Sequence, residues 1–112
     1  MAYDEILAAR IRVGLKLLNV PFEEKPMMGG LCFMVDGKMC VGVEKNRLMG
    51  RIGPEAYDLA LQRKGCRPMD FTGRPMRGFV FIQAEGLTTK KDQLYWLRLA
   101  LAYNPLAKKS GR

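Results

Sequence analysis

The apolar positions change period twice along the chain. From about Tyr3 to Leu18 they recur every three to four residues. Leu7, Ile11, Leu15 and Leu18 lie on one stripe, and Ile6, Val13 and Leu17 widen it, the spacing of an amphipathic helix. Asp4 and Glu5 fall in the first turn, where carboxylates suit the positive end of the helix dipole, and Asn19 and Pro21 stop it. Between Met27 and Ile52 the pattern becomes short apolar runs separated by turns. Leu31–Val35 and Met39–Val43 flank Asp36-Gly37, a dipeptide suited to a type I′ hairpin because both central residues need positive φ. Glu44-Lys45-Asn46 turns the chain again into a run from Leu48 to Ile52. Glu23 to Met27 reads as an edge strand, because Pro26 cannot donate to a central ladder. Gly29-Gly30 precedes the first apolar run, and two roles stay open for it: a bend or bulge, or a backbone nest for an anion. Gly29, Gly30 and Gly37 are the structural glycines of this stretch.

A two-residue turn at Asp36-Gly37 pairs Val35 with Lys38, Met34 with Met39, Phe33 with Cys40 and Cys32 with Val41. Paired residues share a face, and neighbours along a strand alternate. Cys32, Met34, Met39, Val41 and Val43 then form a wholly apolar face that should meet the helices. Leu31, Phe33 and Val35, with Lys38, Cys40 and Gly42, form the outer face, where an apolar patch is expected to meet a second subunit or a partner. In this register the two thiols point apart and cannot join. Cys32 should resist thiol reagents, and Cys40 should react if its face is open.

After the meander the period returns to that of a helix. Gly53, Pro54 and Glu55 mark its start, and Lys64 and Gly65 its end; Tyr57, Ala60, Leu61 and Leu59 should face the core. Cys66 to Gly78 contains two prolines, two glycines and three arginines, and reads as a loop with short bridges at most. Phe79–Ile82 is a run of strong β formers, followed by a turn at Glu85-Gly86. Thr88 or Thr89 caps a last helix to about Tyr103, with Asp92 completing a capping box. That helix carries one stripe of Leu94, Leu97, Ala100 and Leu101 and a second of Tyr95, Leu99 and Tyr103, so it should touch more than one neighbour. The order helix, strands, helix, strand, helix predicts an α+β fold of two layers, an antiparallel sheet with helices on one face.

The length, 112 residues, suits one domain, expected over 1–105 with a disordered basic tail over 106–112. An apolar content of 48% and a charged content of 27% fit a globular chain. No apolar run nears the roughly 18 residues of a membrane span, and the start MAYDEILAAR is acidic, unlike a secretory leader. A soluble cytoplasmic protein without membrane contact is expected. The net charge is +8. Residues 1–52 carry eight Lys and Arg against six Asp and Glu, and residues 53–112 carry eleven against five. A basic surplus favours anionic partners, nucleic acid first, although it also serves solubility.

Catalytic chemistry finds few residues to use. Histidine is absent and Ser110 is the sole serine, so the commonest base and a scaffolded serine nucleophile are both missing. No two carboxylates have a spacing that suits acid–base work. Cys32, Cys40 and Cys66 form no CxxC pair and read as reduced thiols; a zinc site would need all three plus a carboxylate. Catalytic, cofactor-binding and metal-binding residues are accordingly not expected, nor is a cofactor. The best contact candidate is the arginine loop: Arg67, Arg74 and Arg77, with Arg63 and Lys64 at the preceding helix end, could converge on phosphates, with Phe71 and Phe79 for stacking. Loop arginines are also ordinary solvated charges, and Asp70 is placed to pair with one of them. The methionines in the strands suit core filling and, where exposed, adaptable interfaces.

Several fragments taken together resemble a known family. Met28-Gly29-Gly30-Leu31-Cys32-Phe33, Asp36-Gly37-Lys38-Met39, Arg47-Leu48-Met49 and Gly53-Pro54-Glu55-Ala56-Tyr57 are similar in order and spacing to the N-terminal domain of the TfoX/Sxy competence regulators. So are the run from Arg67 to Gly78 and the closing helix with Trp96. The resemblance spans about residues 3–103, with Met28 where the family usually has an aromatic residue. It implies a two-layer α+β domain like that of type III secretion chaperones and brings no catalytic residues. In the full-length regulators a second, helical domain follows, and they promote expression of DNA-uptake genes together with the cyclic-AMP receptor protein; these 112 residues end before such a domain. The leading expectation is thus a non-enzymatic bacterial regulatory or protein-interaction module, linked to transcription by its resemblance to the competence regulators, with a protein partner. The alternatives are nucleic-acid binding by loop 67–77 and a small enzyme or thiol-reactive protein. A homodimer is a further partner expectation.

Overall fold

The computed structural model describes residues 3–27, 29–69 and 77–107. Along the chain come α1 (Glu5–Leu17), β1 (Glu23–Met27), β2 (Gly30–Val35), β3 (Lys38–Glu44), β4 (Arg47–Arg51), α2 (Pro54–Ala60), β5 (Cys66–Pro68), β6 (Phe79–Ile82) and α3 (Lys90–Tyr103), with 3-10 turns at Ala84–Gly86 and Asn104–Leu106. The strands form one antiparallel sheet in the order β1-β2-β3-β4-β6-β5. Buried residues of all three helices pack on one face of it, giving the two-layer α+β fold that the order of elements predicts. β1, with its Pro26, is an edge strand.

Local signals account for the ends of the helices. Asp4 caps α1, its Oδ1 accepting from the amides of Ile6 and Leu7 at 2.9 and 3.1 Å, and Asn19 leaves the helix at φ 59°. Thr89 caps α3 by accepting from the Asp92 amide at 3.0 Å. The buried stripe of α1 is narrower than its apolar pattern: Leu7, Ile11 and Leu15 are buried, whereas Ile6, Val13 and Leu17 are 67%, 50% and 54% exposed. Gly14 sets that orientation. A Cβ there would stand 2.6 Å from Leu97 Cδ1, so α3 closes on the glycine side and leaves Ile6, Val13 and Leu17 facing away. The helical ladder of α2 ends at Ala60, short of Lys64. Gln62 and Arg63 donate to the carbonyls three residues back, which tightens the chain toward β5. Tyr57 and Ala60 are buried as expected, but Leu59 is exposed.

The sheet register departs from the even hairpin at one residue. Asp36 and Gly37 both have positive φ, 56° and 74°, and Val35↔Lys38 and Met34↔Met39 pair as the turn requires. The next pair is Phe33↔Val41, so Cys40 is an extra residue, a β-bulge. Beyond it every β3 side chain changes face. Phe33, Leu31, Cys40, Val41 and Val43 lie in the core under the helices; Cys32, Met34 and Met39 lie on the opposite face with Met49, Met69 and Phe81. Val41 and Val43 thus meet the helices as expected, whereas Leu31, Phe33 and Cys40 lie under the helices and Cys32, Met34 and Met39 on the opposite face, the reverse of the expectation from an even register. Leu31 and Phe33, expected at an interface, are core residues at 7% and 0% exposure, and Val35 is half-buried. The bulge costs about 0.5–1.5 kcal/mol for a lost ladder hydrogen bond and keeps Val41 and Val43 with Leu31 and Phe33 in the core under the helices.

Gly30 is needed for close approach, since a Cβ there would run into the Val43 carbonyl oxygen. The far end of the hairpin is held by the C-terminus of α3. Buried Lys38 donates from Nζ to the Asn104 carbonyl at 3.1 Å and lies 3.5 Å from that of Pro105, where a cation suits the end of a helix. Asn104 Nδ2 in turn donates to the Val35 carbonyl at 3.2 Å. Ala107 is buried, so packed chain reaches two residues into the expected tail; residues 108–112 lie outside the described residues.

The three cysteines are free and buried. Cys32 lies on the methionine side and Cys40 and Cys66 on the helix side, so Cys32 and Cys40 do point apart. The expected accessibility of Cys40 is not met, since its face is the one the helices cover. Burial pushes the thiols of Cys32 and Cys66 up to about 11 and that of Cys40 to about 12, from 9.0. Arg51 and Arg67 pull against burial at Cys40 and Cys66 without cancelling it.

Lys38→Met should lower stability by about 1–3 kcal/mol, because it leaves carbonyls at the end of α3 without their donor; urea unfolding would show a lower midpoint at unchanged slope. All three thiols should be silent to an aromatic disulfide reagent at pH 8 and react only as fast as the protein opens. Because the folded thiols titrate higher than the unfolded ones, their linkage leaves stability untouched below about pH 9 and erodes it between about pH 9 and 12. Cys40→Ala should flatten that alkaline decline, as read by unfolding midpoints measured across the range.

Candidate interaction surface

Of the cationic residues singled out in the sequence, the described ones are Arg63, Lys64, Arg67 and Arg77. Arg63, after α2, lies over α3, its guanidinium carbon 3.8 Å from the centre of the Tyr95 ring and 6.0 Å from that of Trp96. Lys64 borders a polar cleft of about 370 Å³ beside Glu85 and Asp92, whose carboxylates offset the two cations there. Arg67 pairs with Phe81 in the β5–β6 ladder and so projects on the sheet face away from the helices. Arg77 donates to Asp58 Oδ1 and Oδ2 at 3.3 and 3.2 Å and stands 5.4 Å from the Tyr57 ring centre. This pair is exposed and contributes little to stability. Arg74, Asp70 and Phe71 lie outside the described residues. Two further arginines, which the sequence pattern does not single out, stack on the sheet: Arg47 is 3.6 Å from the Phe81 ring centre, and Arg51 is 5.5 Å from that of Phe79. Arg47 is also held at 2.8 Å by Glu44 across the hairpin. Its cross-strand pairing with Glu44 could have been found from the hairpin register.

A larger apolar feature lies between α2 and α3. A groove of about 400 Å³ has Ile52, Gly53, Pro54 and Ala56 on one wall and Leu99, Ala102, Tyr103 and Leu106 on the other, with Glu55 as its charged member. Gly53 makes the wall possible. Its φ is 90°, and a Cβ would run into the Tyr103 ring, so Tyr103 packs flush on the backbone where α2 begins. A second depression of about 320 Å³ shares Leu99 and Ala102 and continues past Tyr95, Arg98 and Lys91. Together they run along the outward side of α3. The second apolar stripe predicted for that helix, Tyr95, Leu99 and Tyr103, is half-buried: its own neighbours cover part of it and the groove exposes the rest. Leu106, 76% exposed, stands at the end. Ala102 and Leu106 carry little signal in the sequence, because one is small and the other follows Pro105.

Every thiol is buried and kept protonated by its surroundings, and among the described residues no three His, Cys, Asp or Glu side chains come together as metal ligands do. No buried side-chain nitrogen or oxygen among them lacks a hydrogen-bond partner, so no orphaned polar atom marks a site for a small ligand.

The family model of the TfoX N-terminal domain matches residues 17–103. The match starts at the last residue of α1, later than the start near Tyr3 given by the sequence resemblance, and ends with α3. No curated protein and no solved structure matches the chain. The matched span takes in all six strands, α2 and α3, most of the length and the whole of the sheet: the chain belongs to the TfoX N-terminal domain family.

Proposed function

We propose that this domain is a non-enzymatic regulatory module of the cytoplasm that acts on transcription by holding another protein, with the α2–α3 groove as its contact surface. The observation that carries the reading is the groove itself. It is lined almost wholly by apolar side chains, and an exposed apolar concavity between helices is the usual seat of a protein or peptide partner. The family supports a regulatory role, and Gly53–Ala56, part of one fragment that resembles it, forms one wall. The chemistry points the same way, since histidine is absent and the buried thiols cannot serve as nucleophiles. The nucleic-acid alternative draws on the net charge of +8 and on Arg47, Arg51 and Arg67 on the sheet face that carries Phe79 and Phe81, whereas Arg63 and Arg77 lie at α3 and α2.

The reading is tested in the native cell. Ala102→Arg, at an exposed groove position, should reproduce the transcript changes of a gene deletion while the protein keeps its abundance and melting temperature. A deletion without transcript changes removes the regulatory role. Changes on deletion that Ala102→Arg fails to reproduce remove the groove as the contact surface.

A further inference from the structure

We infer that the groove takes an acidic amphipathic helix from a different protein, an inference that rests on the interaction reading above. Lys91, Tyr95, Arg98 and Ala102 follow one another at i, i+4, i+7 and i+11 and border the continuous surface along α3. Lys91 and Arg98 flank that stripe over its first two-thirds, and Leu99, Ala102 and Leu106 line the deeper part, with Glu55 on its opposite wall. At about 1.5 Å per residue, the 14 residues of α3 offer a track of about 21 Å, enough for a helix of three to four turns. A helix laid there would place apolar residues at i, i+4 and i+7 over Leu99 and Ala102 and carboxylates beside Lys91 and Arg98.

Charge argues against the occupants that this chain could itself supply. The exposed apolar stripe of α1, Ile6, Val13 and Leu17, is the obvious choice for a second copy. Yet α1 carries Arg10, Arg12 and Lys16 against Glu5, and Arg12 is already paired with Glu24. The terminal sequence Lys108-Lys109-Ser110-Gly111-Arg112 is basic as well. Either would bring cations to Lys91 and Arg98, a repulsive arrangement. An acidic partner helix meets both the cations and the apolar lining of the track.

The test uses the full chain and three labelled synthetic peptides of about 15 residues, the length that spans the track. One has leucines at four-three spacing flanked by glutamates, the second has lysines for the glutamates, and the third is a scramble of the first. Fluorescence anisotropy should show saturable binding of the glutamate peptide, at least tenfold tighter than the other two. Amide shifts in NMR spectra should centre on Leu99, Ala102 and Leu106. The exposed pair Lys91→Glu and Arg98→Glu should reverse the preference between glutamate and lysine peptides. Equal binding of all three peptides, no binding, or shifts centred elsewhere would overturn the inference. So would a dimer in sedimentation that Ala102→Arg dissolves, since a second copy would then occupy the groove. Should Ala102→Arg alter transcripts while the glutamate peptide fails to bind, the regulatory surface stands and the acidic helix is wrong. Peptide binding without any transcript effect supports the acidic helix and removes the regulatory role.

Discussion

The two-layer structure depends on one extra residue in β3. The Asp36-Gly37 turn fixes Met34 opposite Met39, and an even ladder would carry Val41 and Val43 to the same side as those methionines. The bulge at Cys40 breaks the alternation once. It sends the β-branched residues of β3 to join Leu31, Phe33, Leu48, Val80 and Ile82 beneath the helices. What remains on the other face is Cys32, Met34, Met39, Met49 and Phe81 with Met69, a second small core. Stiff, branched residues thus meet the helices, where shape must be matched, and unbranched methionines fill the less regular layer behind them, the division that their side-chain flexibility favours.

That sheet dictates where the helices lie and so where the groove opens. Gly14 lets α1 and α3 close on each other, with Leu97 buried between the layers. The Lys38–Asn104–Val35 hydrogen bonds tie the end of α3 to the tip of the first hairpin. With α3 fixed at both places, its Tyr95–Leu99–Tyr103 side is turned toward α2. The short α2 covers only part of it. The groove is what is left where a seven-residue helix lies beside one twice as long.

Arginine–aromatic contacts then determine which charges are available. Arg63 is engaged by Tyr95, Arg47 by Phe81 and Glu44, and Arg77 by Asp58. A basic surplus read from composition therefore overstates the cations free to meet a ligand. Lys91 and Arg98, on the outward side of α3, border the apolar track directly, and their position beside it gives them more consequence than their number.

The sequence by itself determined the three helices, every strand but β5 (Cys66–Pro68, which reads as loop) and the α+β class, because each rests on signals within a few residues: the Asp4 and Thr89 caps, Pro54 at a helix start, Asp36-Gly37 at a tight turn, β formers at Phe79–Ile82. It also carried the family, whose fragments are spread through the matched span. It could not determine which face of the sheet the helices cover. Parity along a strand is a local rule, and a single bulge at Cys40 inverts it for every residue beyond. Nor could it show that Arg67 would project on the sheet face away from the helices while Arg63 stacks on α3 and Arg77 pairs with α2. Their separation follows from the reversal of direction between α2 and β5 and from aromatic rings contributed by distant parts of the chain. Likewise the Tyr95–Leu99–Tyr103 stripe was legible as a second contact face of α3. That it forms a groove with Pro54 and Ala56 was decided only when Gly53 packed beneath Tyr103, a contact between residues fifty positions apart that no local pattern records.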